Sequence, residues 1–183
     1  MLDWDSWAAE EALRLLGRVR TRWDHTLGVV QRVESLRRAV GSDAEHRLLV
    51  GAAYLHDIGY ASALSDTGLH ALDGARHLRR AGAPETLCGL VAYHSCSWIE
   101  AEVRGIPGPQ PEFTAPPQPL LDALDYADMT TGADGREMVF ETRMHEIFQR
   151  YPAGAVREAN ERGEPLLRAA VRRVQERLEA SDR

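Results

Sequence analysis

At 183 residues the chain is the size of one domain, long enough to bury a core without disulfides or other staples. A formal net charge of −6 excludes broad nucleic-acid binding, which needs a basic face to displace counterions. It leaves room for a small anionic substrate, because a metal centre can supply local positive charge inside an acidic protein.

Helical periodicity dominates, and no stretch alternates as a half-buried strand does. Residues 5–20 read as a first helix, with Trp7, Leu13 and Leu16 among its apolar positions. A second covers 24–40, where His25, Val29, Val33, Leu36 and Val40 recur at helical spacing. Gly41-Ser42-Asp43 then breaks and recaps the chain. The third helix, 44–57, stops at Gly59. Residues 69–80 and 84–94 give two more, the latter with proline in its first turn. Residues 104–119 hold six of the nine prolines, with Gly105 and Gly108, and read as a long loop. Helix resumes over 119–131 and continues through 136–150, 153–162 and 165–180. The last carries Leu166, Leu167, Val171, Val174 and Leu178 on one face, which either closes the bundle or meets a second copy as a homodimer. The expectation is an all-α, single-domain helical bundle with one long proline-rich loop.

Cys88 and Cys96 make neither a zinc-ligand spacing nor a disulfide framework. Residues 1–10 lack the basic region of a signal peptide, and the longest apolar run, residues 48–55, is too short to cross a bilayer. A reduced, cytoplasmic setting without a membrane partner is expected.

The seven histidines sort unequally. His56 and Asp57 end the apolar segment LLVGAAYLHDIGY. Neighbours on a helix point about 100° apart, so near a helix end the two can flank one ion. An aspartate after such a run is costly to bury unless paired or metal-bound; the plainer account is a polar helix terminus. His25 extends the stripe Val29, Val33, Leu36, and His94 extends Leu87, Leu90, Val91. Each suits a ligand whose second nitrogen is fixed by a backbone or carboxylate partner, or a core-edge histidine. Asp125 lies between Leu121 and Asp128 on one face of PLLDALDYADMTT, where an exposed acidic stripe that includes Asp122 is the alternative. His70 and His77 share a face about 10 Å apart and cannot both hold one ion. His46 and His145, set among charged neighbours, read as solvated surface residues.

Taken in order, His25, His56-Asp57, His70, His94 and Asp125 resemble the H…HD…H…H…D signature of HD-domain metalloproteins. The local segments WDHTLGVV, YLHDIGY, HALDGARHLRRAG, VAYHS and ALDYADMTTGADG match as well. The resemblance covers roughly residues 22–135. It selects His70 over His77, puts Asp125 at the family's terminal aspartate, and leaves Asp128 as an extra carboxylate one turn further on. Two histidines between the doublet and the last aspartate are similar to the dinuclear branch, which includes symmetric diadenosine tetraphosphate hydrolases of the YqeK type. By that likeness His25, His56 and Asp125 would hold one metal and His70 and His94 the second, with Asp57 bridging. Mixed histidine and carboxylate ligation suits iron or manganese, with nickel, cobalt, zinc or magnesium left open. A mononuclear site of His25, His56, Asp57 and Asp125 is the other arrangement, with His70 and His94 then meeting substrate phosphate. The HD-GYP group fits poorly: Tyr60 stands at its lysine, no GYP tripeptide occurs, and Tyr93-His94-Ser95 lacks its second histidine.

The resemblance implies a metal-dependent phosphohydrolase that cleaves a phosphate ester or anhydride of a small molecule, a nucleotide or related phosphometabolite, by a metal-activated hydroxide. Asp57 and Asp128 are the catalytic candidates; Asp128 either orients the water from beside the ligands or is a solvent-facing carboxylate. Arg22, Arg76 and Arg79 are candidate phosphate contacts, none preferred, and Cys96 and Ser97 are expected in the pocket wall. The loop at 104–119, between two ligands, is placed to overlay the pocket or to cross the surface. Two other functions compete: a mixed-valence di-iron oxygenase acting on an organophosphonate or polyol through the same ligands, and a non-catalytic ligand-sensing module. The latter predicts broken ligand positions, and none of the six is missing.

Overall fold

Each apolar stripe finds a partner helix. The computed structural model describes residues 4–38 and 40–181; residues 1–3, 39 and 182–183 lie outside the description, and with them one position of the expected second helix. Among the described residues the chain forms α1 (Trp4–Leu16), α2 (Arg20–Ser35), α3 (Asp43–Leu55), α4 (His70–Arg80), α5 (Glu85–Tyr93), α6 (Ser97–Arg104), α7 (Gln118–Met129), α8 (Phe140–Arg150) and α9 (Ala155–Ser181). Three 3-10 turns, Ile58–Tyr60, Ser62–Leu64 and His94–Cys96, join them. No strand forms among these residues beyond one isolated bridge, Thr131 to Glu137. The fold is all-α, as expected. No described helix is long and apolar enough to cross a membrane.

The core runs continuously from Ala8 and Leu16 of α1 through Val29 and Val33, Leu49 and Leu55, Leu72, Leu90 and Leu124 to Val171 and Val174 of α9. α3 sits among α1, α2, α5 and α7, while α7 packs on α9. Ser42 caps α3 as its sequence promises: Oγ accepts from the Glu45 N–H at 3.2 Å and donates to the Glu45 carboxylate at 2.8 Å.

The structure departs from the expected elements in several places. α6 was not anticipated; its Ile99 and Ala101 are buried. Residues 153–162 and 165–180 are not two helices but one, α9, with Pro165 inside it. The buried positions Ala159, Gly163, Leu167, Ala170, Val171 and Val174 form one unbroken helical stripe across the proline, and packing of both halves outweighs the lost backbone bond. α8 starts at Phe140, because residues 131–137 first make a tight reversal closed by Gly132 N–H to Arg136 O at 2.8 Å.

The proline-rich loop does not overlay the metal-ligand cleft. It is tied to the outer side of α4 and α5: Tyr93 Oη donates to Phe113 O at 3.0 Å, Arg79 stacks over the Phe113 ring at 3.8 Å, and Arg76 Nε donates to Glu112 at 2.9 Å. These contacts take Arg76 and Arg79 out of the set of phosphate candidates. His46 is not a surface residue either; it is buried in α3 with Nε2 3.6 Å from Glu34. Within the chain the α9 stripe closes the bundle, with Leu167, Val171 and Val174 buried, while Leu166 is exposed.

Candidate metal centre

The His56-Asp57 pair stands where α3 ends. His56 keeps helical angles as the C-cap, whereas Asp57 (φ −99°, ψ 2°) leads into the 3-10 turn. The change of winding sends the two adjacent side chains to different neighbours. Gly59 makes the next approach possible: a Cβ there would run into the carbonyl oxygen of His70, so the α4 N-terminus can dock only on a glycine. The connection before α4 is pinned by Asp73, whose carboxylate accepts from the N–H groups of Asp66, Thr67 and Gly68 at 3.0–3.1 Å. His70 is thereby delivered to the cleft from a fixed helix end.

Two groups of ligand atoms result, each with its members within 4.8 Å of one another: His25, His56 and Asp128, and Asp57, His70 and His94. All except His70, which is partly buried, are buried. Asp57 lies between the groups, with Oδ2 3.6 Å from His56 Nε2 and Oδ1 3.6 Å from His70 Nε2. Arg22 Nη1 donates to Oδ2 at 2.9 Å. The Arg22 guanidinium lies over the Tyr60 ring at 3.7 Å, and that ring stacks on His70 at 4.1 Å, so Tyr60 orients a ligand from one side and an arginine from the other.

Three of the four histidines have one nitrogen fixed by a backbone carbonyl. His25 Nδ1 donates to Gly132 O at 3.0 Å, His56 Nδ1 to Ala53 O at 2.8 Å, and His94 Nδ1 to Val91 O at 2.7 Å. A carbonyl only accepts, so each ring keeps a proton on Nδ1 and turns Nε2 inward. His25 Nε2 faces Asp128 Oδ1 at 3.0 Å, where a proton between the two atoms makes a hydrogen bond and a cation could take its place. His56 Nε2 is buried without a hydrogen-bond partner among the described residues. His70 Nε2 and His94 Nε2 converge at 3.1 Å. This donor set fits divalent metal: neutral imidazoles, carboxylates, and carbonyl partners that fix the tautomers.

The electrostatics agree. Burial alone would raise the Asp57 carboxyl, but His56, Arg22 and His70 outweigh it and hold it well below the usual carboxylate range. Burial, with His94 adding to it, brings His70 down to about 3, and burial also lowers His56. For Asp128, burial is overcome by the His25 hydrogen bond and the neighbouring His56 and Arg143, which keep it well below its ordinary value. Asp125 is the opposite: burial, reinforced by Asp128 and Asp122, pushes it well above. Anionic carboxylates and neutral imidazoles at neutral pH are the forms that ligate.

Asp125 is the expected ligand that the structure does not bring to the centre. Its carboxylate turns to the backbone N–H of Ser95 at 2.7 Å, and Asp128, one turn further along α7, takes the place beside His25 and His56. The difference arises at the end of the helix: Asp128 stands where α7 gives way to the reversal whose Gly132 carbonyl orients His25, and Asp125 is set back against the His94–Cys96 turn. Asp122, Asp125 and Asp128 are all buried rather than an exposed stripe; Asp122 is met by Arg173 at 2.6 and 2.7 Å. Ser95 was not singled out by sequence. Its left-handed backbone (φ 52°), strained for a non-glycine residue, lets its N–H reach Asp125 and its Oγ donate to Asp128 at 2.5 Å. His77 bonds Glu11 at 2.6 Å, away from the centre, and His145 is exposed.

A cavity of about 80 Å³ opens over the two groups. One wall carries Asp57, His70, His94 and Asp128; the opposite wall comes from α8, with Arg143 and Arg150, from Tyr151 just after it, and from α9, with Asn160. Ser97 lines it, whereas Cys96 faces a separate cavity. Sequence reasoning missed this second wall entirely, since an isolated arginine on an amphipathic helix gives no signal.

The family model described as HD domain matches residues 22–133 of the chain. No curated protein and no solved structure matches it.

Proposed function

The chain belongs to the HD domain family, and from that premise we propose that it is a dinuclear metal-dependent phosphohydrolase acting on a phosphate ester or anhydride of a small phosphometabolite, such as a nucleotide. The observation that carries the reading is the pair of three-residue groups flanking Asp57, with His56 Nε2 buried and unpartnered between them. His25, His56 and Asp128 would hold one ion, and Asp57, His70 and His94 the other; mixed imidazole and carboxylate donors favour iron or manganese. Divalent ions in such a centre lower the pKa of a coordinated water and offset charge on phosphoryl oxygens.

The protein's own groups prepare that chemistry. Arg22 keeps Asp57 anionic and fixes which oxygen turns to each group. Ser95 Oγ holds the second oxygen of Asp128, so that Oδ1 stays on the His25 side. Met129, Ile147 and Val156 line the cleft with apolar surface and limit water access around the reacting phosphoryl group. A cavity this small admits the phosphoryl group while the remainder of the substrate projects toward solvent.

The test is a panel of phosphomonoesters, nucleotides and dinucleoside polyphosphates offered anaerobically to protein reloaded with Mn²⁺ or Fe²⁺. Metal-dependent phosphate release is expected, falling by roughly 1,000-fold or more in Asp57→Ala. Substrate-dependent O₂ consumption with no anaerobic phosphate release would overturn the hydrolase in favour of oxidation on the same ligands.

A further inference from the structure

α8 lies beyond the matched residues 22–133, yet it supplies the most deeply placed cation on the second wall of the cleft. The Arg143 side chain is only 5% exposed. Its Nη1 donates to Glu146 at 2.7 Å, and its Nη2 stands 3.6 Å from Asp128 Oδ1. Its Nε is buried with no hydrogen-bond partner among the described residues. Glu146, the nearer of its two carboxylates, is shared with Arg150 at 3.4 Å. A guanidinium donor withdrawn from water and left unpaired costs free energy, and Arg143 lines the cavity above the two ligand groups.

We infer that Arg143 recognises the phosphoryl group of the substrate, donating to an oxygen that is not engaged by the metal centre; the inference rests on the hydrolase reading for its substrate class. The charge balance points the same way. With ions in place, Asp57 and Asp128 are both taken up as ligands. Arg22, Arg143 and Arg150 then line the cleft beside the divalent charge. Against them stand Glu146, which Arg143 and Arg150 share, and Glu100, which is paired with Arg104 at 3.1 Å, so positive charge stays in excess. Such a surplus is neutralised by an incoming anion, and a planar guanidinium matches two oxygens of a tetrahedral phosphoryl group. Arg22 is less suited because it is committed to Asp57 and stacked on Tyr60; Arg150 is about one-third exposed.

The experiment is calorimetric titration of inorganic phosphate into the Mn²⁺-loaded full chain, with metal content measured on the same samples. Arg143→Met is expected to weaken phosphate binding by about 10- to 100-fold, the worth of a charged hydrogen bond, at unchanged metal content. Arg143→Lys should recover only part of the affinity, since an ammonium cannot reproduce the two-pronged donor. Unchanged phosphate affinity in Arg143→Met, or a loss that merely follows loss of metal, overturns the inference. Should thermal melts show that the methionine variant does not fold, the lysine variant decides, and wild-type affinity in it overturns the inference. Turnover measured in parallel separates the two claims. Arginine-dependent phosphate binding without ester hydrolysis upholds Arg143 and removes the hydrolase, whereas hydrolysis with phosphate affinity indifferent to Arg143 does the reverse.

Discussion

His56 and Asp57 are neighbours in sequence but serve different groups in space, because the helix ends between them. One imidazole enters the His25–Asp128 group, and one carboxylate turns to His70 and His94. The same resolution separates Asp125 from Asp128. Three residues apart on α7, they stand on nearly the same face, so neither periodicity nor motif order distinguishes them; the distinction lies in what each carboxylate touches. Asp128→Ala is therefore expected to weaken metal binding at the His25–His56 group by at least about 100-fold, beyond what loss of a merely supporting partner costs. Asp125→Asn should leave the metal content intact. Elemental analysis of both variants checks this, and the opposite pattern would restore Asp125 as the ligand. His25, His56, Asp57, His70 and His94, which the structure brings together, were legible from the order of the HD signature, since each taken alone also suits a polar helix end or a core-edge histidine. Ser95 was not, because its part depends on a left-handed backbone that no local pattern announces.

The buried histidines also set a pH dependence for the metal-free protein. His70 has a folded-state pKa of about 3 against an ordinary 6.5. As pH falls below 6.5, the unfolded chain takes up a proton that the folded chain refuses, and stability drops by about 1.4 kcal/mol per pH unit for that histidine. His56 shifts in the same direction and adds to the loss. Asp57 and Asp128, both lowered, contribute stability that is present above pH 3.8 and lost below it. Asp125, raised, acts oppositely: its contribution is full below 3.8 and is lost as pH rises through its folded value. Urea unfolding of chelator-treated Asp125→Asn protein, in which the opposing carboxyl is removed, should accordingly show a fall between pH 7 and 4. A flat profile across that range would contradict the burial of neutral imidazoles.

Helix ends and close approaches, more than helix interiors, place the ligands. α4 docks through Gly59, and the reversal at 131–137 lies so close to α2 that a Cβ on Gly28 would strike the backbone of Gly135. Gly59→Ala should cost about 1–3 kcal/mol, the usual penalty of forced overpacking, and should weaken metal binding at the His70–His94 group in particular. Chemical denaturation and metal titration of this variant check the two effects, and a variant with wild-type affinity at that group would show that the α4 docking is not what positions His70. The helices that carry stripes, such as α3 and α7, were legible because their apolar period is long and strong. The break at Pro165 was misleading, since the residue that ends helices in isolation is overridden when a buried stripe continues through it. The loop at 104–119 could be recognised as irregular from its prolines, but its docking side depends on Glu112, Phe113 and their arginine partners, which sequence order does not reveal.

Among the described residues, one hydrophobic core runs from α1 to α9 through apolar contacts. The apo protein should therefore fold, with metal adding stability by mass action: about 2.7 kcal/mol at a free concentration one hundred times the dissociation constant. Loss of cooperative unfolding on chelation would instead make the metal part of the core. The family match ends at residue 133, while the cleft is completed by α8 and α9. The second wall of the cleft thus comes from helices whose sequence reads only as amphipathic.

Metal stoichiometry per chain, measured by elemental analysis on reloaded wild-type protein and on Asp57→Ala, tests the central claim most directly. Two ions per chain in the wild type, with loss of both occupancy and phosphate release when Asp57 is removed, is the predicted result. A single ion in the wild type, or an Asp57→Ala protein that keeps two ions and full turnover, would contradict it.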